Sequence, residues 1–351
     1  MIPPDHTRVS RLVVRVPNWL GDAVMALPAL AALRRHFADA RLTIAGPRSV
    51  AALFHEQTEA RPDHVLELPP DRREAVAMLR GEQAELGVLF PNSFAGAWQL
   101  RRAGIAQRWG YNTSGRGWLL TRAAVRVPST GPVHQADYYR NLVRGLGIPC
   151  GDEAPSVLPA SDGVSLAATR LGITSPADLR LVLFAPGAAY GQAKQWSPTR
   201  VAGVMARLAA ERDATCVLVG AAHDRRAGRE IEEWLRAHAV ATLPRVHNLI
   251  GRTSLRDLVA LAAASRVCVT NDSGAMHVAA ATGRPVVALF GPTDERVTRP
   301  IGRGDVLTAD AFCRPCHLRD CPIDHRCMKR ITVDTVFAAV SRHLAFAGSR
   351  T

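Results

Sequence analysis

The chain reads as an α/β protein built from two doubly wound, Rossmann-like domains of similar size, and three observations predict this. Short apolar, β-branched runs alternate with amphipathic segments from Leu12 to Phe290, the pattern of βαβ units around a parallel sheet. The alternation lapses over 149–176, a stretch rich in Pro, Gly, Ser and Asp, and restarts at Leu181. A length of 351 residues exceeds one ordinary domain and suits two. The expected domains are residues 1–160 and 176–332, with 333–351 as a C-terminal helix able to pack back on the first domain.

In the first half, Leu12–Val16 is a buried strand, and Asp22–Phe37 a helix with Val24, Leu27, Leu30 and Leu33 as its apolar residues. Leu42–Ala45, Val65–Leu68 and Leu86–Phe90 are further strands, and Arg72–Arg80 and Phe94–Arg102 are helices. His134–Leu146 is amphipathic and stops at Gly147, and a short helix is expected near 164–171 inside the connection. The second half begins with the strand Leu181–Ala185, followed by a helix over 198–212 and a strand over 214–219. Helices over 225–238 and 255–264 come next. Val267–Thr270 is then a buried strand, Asn271-Asp272-Ser273-Gly274 a turn with helix-capping chemistry, and an Ala-rich helix runs to about Thr282. Gly283 ends that helix before the strand Pro285–Phe290.

Ligands in doubly wound sheets collect beyond the carboxyl ends of strands, so the loops there carry the candidate chemistry. The 271–274 turn sets backbone N–H groups of Ser273 and Gly274, the Ser273 hydroxyl and His277 at a positive helix end, a place to hold phosphate. Asp272 would repel phosphate; it suits accepting hydrogen bonds from sugar hydroxyls or ordering the turn. After the first strand, Gly21 allows close backbone approach and Asp22 stands at a helix N-terminus, as a cap or as a base. After Ala185, a loop of small residues carries Lys194 just before Ser197-Pro198 opens a helix. Asp224, in the loop after 214–219, is a cap or a ribose acceptor. No dinucleotide fingerprint, P-loop, nucleophile elbow or His-Glu-x-x-His occurs. Asp, Lys, Ser, His and backbone amides suit positioning an anionic donor and deprotonating a hydroxyl, without a covalent intermediate.

Net charge is +13, which calls for an anionic partner: nucleic acid, an anionic membrane face or a phosphorylated substrate. The arginines are scattered, aromatic residues are only 5% of the chain, and no nucleic-acid motif accompanies them. Of the 44 basic residues only Lys194 and Lys329 are lysines, so lysine marks a place where a compact ammonium is wanted rather than a planar fork. No apolar run approaches the ~20 residues of a membrane helix, and Arg11, Arg15 and Asp22 break up the start as a signal peptide. Cys313, Cys316, Cys321 and Cys327 can form a structural zinc site, although the second pair is wider than usual; the alternative is reduced thiols packed in a loop. Seven cysteines in all, an odd number, suit a reducing compartment.

Trp19-Leu20-Gly21-Asp22 with Leu27-Pro28, Pro186-Gly187 with Lys194-Gln195-Trp196, and Asn271-Asp272-Ser273-Gly274 with His277 and Phe290-Gly291-Pro292-Thr293 resemble the lipopolysaccharide core heptosyltransferases, glycosyltransferase family nine. Order and spacing agree over about residues 11–345. Within the family the segment with Cys321-Pro322 and Cys327-Met328 looks most like the heptosyltransferase II group. The resemblance implies a GT-B fold: two Rossmann-like domains facing across a cleft, acceptor on the first and nucleotide sugar on the second. It implies inverting transfer of heptose from ADP-heptose to a lipid A-linked heptosyl-Kdo acceptor, by a peripheral protein on the cytoplasmic face of the inner membrane. It implies Asp22 as the base, Lys194 neutralising the diphosphate, Asp272 on the donor sugar, Ser273, Gly274 and His277 on phosphate, and Asp224 near the ribose. No metal is required, because Lys194 and helix dipoles meet the leaving charge. A type I or III heptosyltransferase, or another nucleotide-sugar transferase of the family, is the alternative; a zinc-containing nucleic-acid-binding protein is the reading from another class.

Overall fold

A computed structural model describes residues 9–126, 128–172 and 180–346. Residues 173–176 of the expected connection and 347–351 of the expected last helix lie outside the described residues. The chain divides into two compact units, Met1–Ser156 and Val157–Thr351.

The first unit holds β1 (Arg11–Arg15), β2 (Arg41–Pro47), β3 (His64–Leu68), β4 (Leu86–Leu89), β5 (Gln107–Tyr111) and β6 (Arg122–Ala124). They form one parallel sheet in the order β3-β2-β1-β4-β5-β6. The second unit repeats this order as β9-β8-β7-β10-β11-β12, with β7 (Arg180–Ala185), β8 (Ala214–Leu218), β9 (Val246–Asn248), β10 (Val267–Asn271), β11 (Val286–Phe290) and β12 (Gly304–Thr308). This is the dinucleotide-fold order, and it places a switch point between β1 and β4 in one unit and between β7 and β10 in the other. The central strands β8, β10 and β11 are buried along their whole length, as a parallel sheet covered by helices on both faces demands.

Strands that the sequence pattern misses lie toward the sheet edges. Gln107–Tyr111, Arg122–Ala124, Val246–Asn248 and Gly304–Thr308 are polar or very short, with one face or one edge open, so their apolar signal is weak. The helix expected over 22–37 is two: α1 (Leu20–Met25) and α2 (Leu27–His36), joined at Ala26. Pro28, in the first turn of α2, cannot donate the backbone bond that a continuous helix requires there. Helices α3 (Arg72–Gly81), α4 (Phe94–Arg102) and α5 (Gln135–Gly145) are the other long helices of the first unit.

The helix expected inside the connection is α6 (Gly163–Leu171), whose Ala167 and Leu171 are in one core of the second unit with Leu181, Leu183, Leu261 and Met276. Beyond it come α7 (Pro198–Arg212), α8 (Arg225–His238), α9 (Leu255–Ala264), α10 (Gly274–Ala281) and α11 (Val333–Phe346). The sequence left α11 outside the second domain. Its Val336, Phe337, Val340 and Leu344 instead join Phe184, Met205 and Leu218 in the core on the other face of that unit's sheet. No helix among the described residues is long and apolar enough to cross a membrane.

Candidate functional site

In the second unit the loops after β7 and β10, which flank the switch point, meet. Lys194 ends a single 3-10 turn (Gln192–Lys194), and its Nζ lies 2.5 Å from Asp272 Oδ2 at the end of β10. Both side chains are nearly buried, 12% and 5% exposed. The Tyr190 ring lies 4.7 Å from Nζ, so the ammonium is bounded by a carboxylate and a π face. The Thr293 hydroxyl donates to Asp272 Oδ2 at 2.7 Å and the Thr298 hydroxyl to Oδ1 at 3.4 Å. The Asp272 carboxylate, expected on a donor sugar, is occupied here in orienting Lys194.

The loop is held at both ends by one residue. The Asn271 amide donates to the Pro186 carbonyl at 2.5 Å, and its Oδ1 accepts the Trp196 backbone N–H at 3.2 Å. Trp196 is itself buried and donates its indole N–H to the Ile331 carbonyl at 3.0 Å. The task of Asn271, closing a loop that starts 85 residues earlier, is visible only in three dimensions. Asn271→Ala leaves a buried carbonyl and a buried N–H unpaired and is expected to cost about 2–4 kcal/mol, read as a fall in the urea midpoint of unfolding.

Ser273 is the N-cap of α10 in extended conformation, yet its hydroxyl bonds no backbone N–H there, and its buried Oγ has no partner among the described residues. An unsatisfied hydroxyl at the positive end of a helix, next in sequence to the Asp272 that pairs with Lys194, is arranged for an anion. Gly274 opens the helix and His277, 5% exposed, follows one turn on.

Asp224 is 6% exposed, and its Oδ2 accepts the Ala221 backbone N–H at 2.9 Å. A Cβ at Gly187 would overlap its carboxylate, so Gly187 is the residue that lets the loops after β7 and β8 close on each other. As N-cap of α8 Asp224 makes no side-chain capping bond; its carboxylate reaches back to the Ala221 N–H in the turn that precedes the helix.

The cysteine-rich segment has a structural task that its spacing did not announce. His325 Nε2 contacts the Ala193 carbonyl at 2.5 Å, the Ala193 N–H donates to the Arg319 carbonyl at 2.9 Å, and the Tyr190 hydroxyl donates to the His317 carbonyl at 2.8 Å. The segment thus braces the Lys194 loop from outside. Cys313, Cys316, Cys321 and Cys327 are free thiols, and burial raises the pKa of Cys327. Among the described residues no group of three or more His, Cys, Asp or Glu side chains stands where it could hold a metal ion, so the zinc reading gains no support from this geometry.

In the first unit, Gly21 and Asp22 lie in the first turn of α1, directly after β1. Asp22 Oδ1 accepts from the Tyr139 hydroxyl at 3.3 Å. Tyr139, on α5, is buried against Phe90 and also receives a bond from Gln135 at 3.2 Å. Burial first, then the neighbouring Asp22 charge, raises its pKa far above the ordinary phenol value, so it stays a donor. Arg15, at the end of β1, contacts the Asn18 side chain at 3.4 Å, and burial lowers its pKa to about 10. Its Nε has no partner among the described residues. Tyr139 and Arg15 were not singled out from sequence, because nothing in their local pattern separates them from core and surface residues.

The family profile described as glycosyltransferase family 9 (heptosyltransferase) matches residues 72–326. Lipopolysaccharide heptosyltransferase 2 of Escherichia coli (strain K12) is 32% identical over 305 residues, covering 83% of this chain and 85% of the relative. Lipooligosaccharide heptosyltransferase 2 of Haemophilus influenzae is 28% identical over 302 residues, covering 81% and 84%. The structure of E. coli ADP-heptose lps heptosyltransferase II superposes with a TM-score of 0.82 at 27% identity, over 97% of this chain and 100% of that one. The two parallel six-stranded sheets match that structure, and the chain belongs to glycosyltransferase family 9, the heptosyltransferases.

Proposed function

We propose that this heptosyltransferase transfers heptose from ADP-heptose, with inversion, to a heptosyl-Kdo saccharide on lipid A, the reaction of the type II enzymes. The observation that carries the donor half is the ion pair of Lys194 and Asp272 beside the unpartnered Ser273 hydroxyl at the N-terminus of α10. In this reading the second unit binds the nucleotide sugar and the first binds the acceptor. Gly274 N–H, Ser273 and His277 take the diphosphate, and Lys194 meets the charge that grows on ADP as the glycosidic bond breaks. Asp272 holds Lys194 at that bond. Asp22 accepts the acceptor hydroxyl proton late, as the oxocarbenium-like centre forms. No residue forms a bond to the sugar, which leaves a single displacement.

We place the protein on the cytoplasmic, anionic face of the inner membrane, where a net charge of +13 favours residence near a phosphorylated lipid acceptor. The deciding experiment supplies ADP-heptose and heptosyl-Kdo2-lipid A and looks for one heptose of mass gain. Gain only on Kdo2-lipid A, or only with another nucleotide sugar, replaces this reading with a type I or different-donor enzyme.

Tyr139 is a positioning residue for Asp22 here. Tyr139→Phe removes a hydrogen bond that favours the ionised carboxylate, so the base protonates more easily. The acid limb of kcat/KM should move to higher pH, with kcat at the plateau falling no more than about tenfold. An unmoved limb would separate Tyr139 from the chemistry.

A further inference from the structure

Two loops of the first unit, leaving the same sheet edge as the Asp22 loop, carry three exposed aromatic rings. Phe94 and Trp98 lie one turn apart on α4 after β4, and Trp118 sits on the 3-10 turn Gly117–Leu119 after β5. They are 42%, 42% and 61% exposed. Their ring centroids are 6.4 Å apart for Phe94–Trp98, 6.1 Å for Phe94–Trp118 and 6.4 Å for Trp98–Trp118. Single exposed apolar residues are ordinary, but three large rings gathered in solvent form a patch that calls for a partner.

The patch is held in shape from beneath. The fully buried Arg116 donates from Nη1 to the Pro91 and Ser93 carbonyls at 2.5 and 3.1 Å, and from Nε to the Tyr111 carbonyl at 3.1 Å. One guanidinium thereby ties the loop bearing Trp118 to the loop that opens α4. Ser93 then caps α4, accepting the Gly96 N–H at 3.2 Å.

The segment that carries the rings is cationic. Between Glu85 and Asp137 the sequence has no acidic residue, while Arg101, Arg102, Arg108, Arg116, Arg122 and Arg126 fall inside that stretch. Arg101 lies 5.4 Å over the Trp118 ring, Arg102 and Arg126 are exposed, and so is Val125 at 79%. Aromatic rings rimmed by arginine match the headgroup zone of an anionic bilayer, where rings sit at the interface and guanidiniums pair with phosphate.

We propose that Phe94, Trp98 and Trp118, with Arg101 and Arg102, are the surface that docks the protein on an anionic lipid bilayer. Since β1 and β4 are adjacent, docking there brings the Asp22 edge of the sheet to the membrane; that last step rests on the acceptor reading above, whereas docking itself does not.

The test is sedimentation of the full chain with phosphatidylethanolamine/phosphatidylglycerol vesicles and with phosphatidylcholine vesicles. Binding to the first and not the second is expected. Trp98→Ser with Trp118→Ser, and separately Arg101→Glu with Arg102→Glu, should each weaken binding at least about tenfold, with unchanged thermal melts. Arg226→Glu with Arg229→Glu, on α8 of the other unit, should leave it within about twofold. Equal loss from the α8 pair, or wild-type binding by both patch pairs, overturns the proposal. Turnover on a deacylated, water-soluble acceptor separates the two readings. Patch variants that keep this turnover and fail on vesicle-embedded acceptor support docking. Variants that lose it while still binding vesicles make the patch a saccharide site and overturn docking. Absence of turnover in the wild type on either acceptor defeats the acceptor reading and leaves the vesicle result standing.

Discussion

Asp22→Asn lowers kcat by about 10²–10⁴, the range that a positioned general base contributes, while the affinity for ADP stays within about twofold. Asparagine keeps the size of the side chain and can still hydrogen-bond the Tyr139 hydroxyl at Oδ1, so the fold around α1 should persist. What it loses is the ability to carry the acceptor proton. A merely capping Asp22 would give another result, namely a small stability loss of ~1 kcal/mol with turnover retained. Single-turnover rates with saturating donor, alongside calorimetric binding of ADP, distinguish the outcomes. Unchanged turnover removes Asp22 from the mechanism.

Lys194→Arg is the second large effect, expected to cut kcat by about 10–100-fold although charge is conserved. Nζ sits 2.5 Å from Asp272 and 4.7 Å from the centre of the Tyr190 ring, with 12% of the side chain exposed. A planar fork one bond longer cannot occupy that point without moving the loop that His325 and Arg319 brace. Lys194→Ala should cost more, about 10²–10³, the range for removing one preorganised charge-stabilising donor. A purely structural ion pair is the rival account. Breaking one partner of a buried pair leaves a stranded charge worth about 3–5 kcal/mol of stability. Lys194→Met with Asp272→Asn removes both charges, so a structural role predicts recovery of melting temperature and activity together. The expected result is recovered melting temperature with kcat still low. A fully active Lys194→Arg enzyme would empty the argument from lysine rarity.

The strands and helices around the two switch points were legible because each forms a long apolar run or a periodic stripe. Val267–Asn271 and Val286–Phe290 are buried throughout and announce themselves by composition alone. Edge strands such as Val246–Asn248 bury little and carry no comparable signal. The site divides in the same way. Asp22, Lys194 and the 271–274 turn stand out as unusual residues after strands, which local sequence can display. The partnership of Lys194 with Asp272 spans 78 positions, and that of Tyr139 with Asp22 spans 117, so no local pattern encodes them.

Sequence by itself determined the α/β class, the twofold repetition of the doubly wound pattern and the loops where chemistry resides. These follow from periodicity and from residue types forced by strand ends and helix starts. Only the tertiary structure decided what those residues do to one another. It set Asp272 on Lys194, tied the Asp224 carboxylate to the Ala221 N–H, made the cysteine-rich segment a brace and gathered Phe94, Trp98 and Trp118 into one exposed patch. The physical reason is range: helix and strand propensities act over a few residues, whereas ion pairs, buried hydrogen bonds and ring contacts exist only once the parallel sheets bring distant strand ends together.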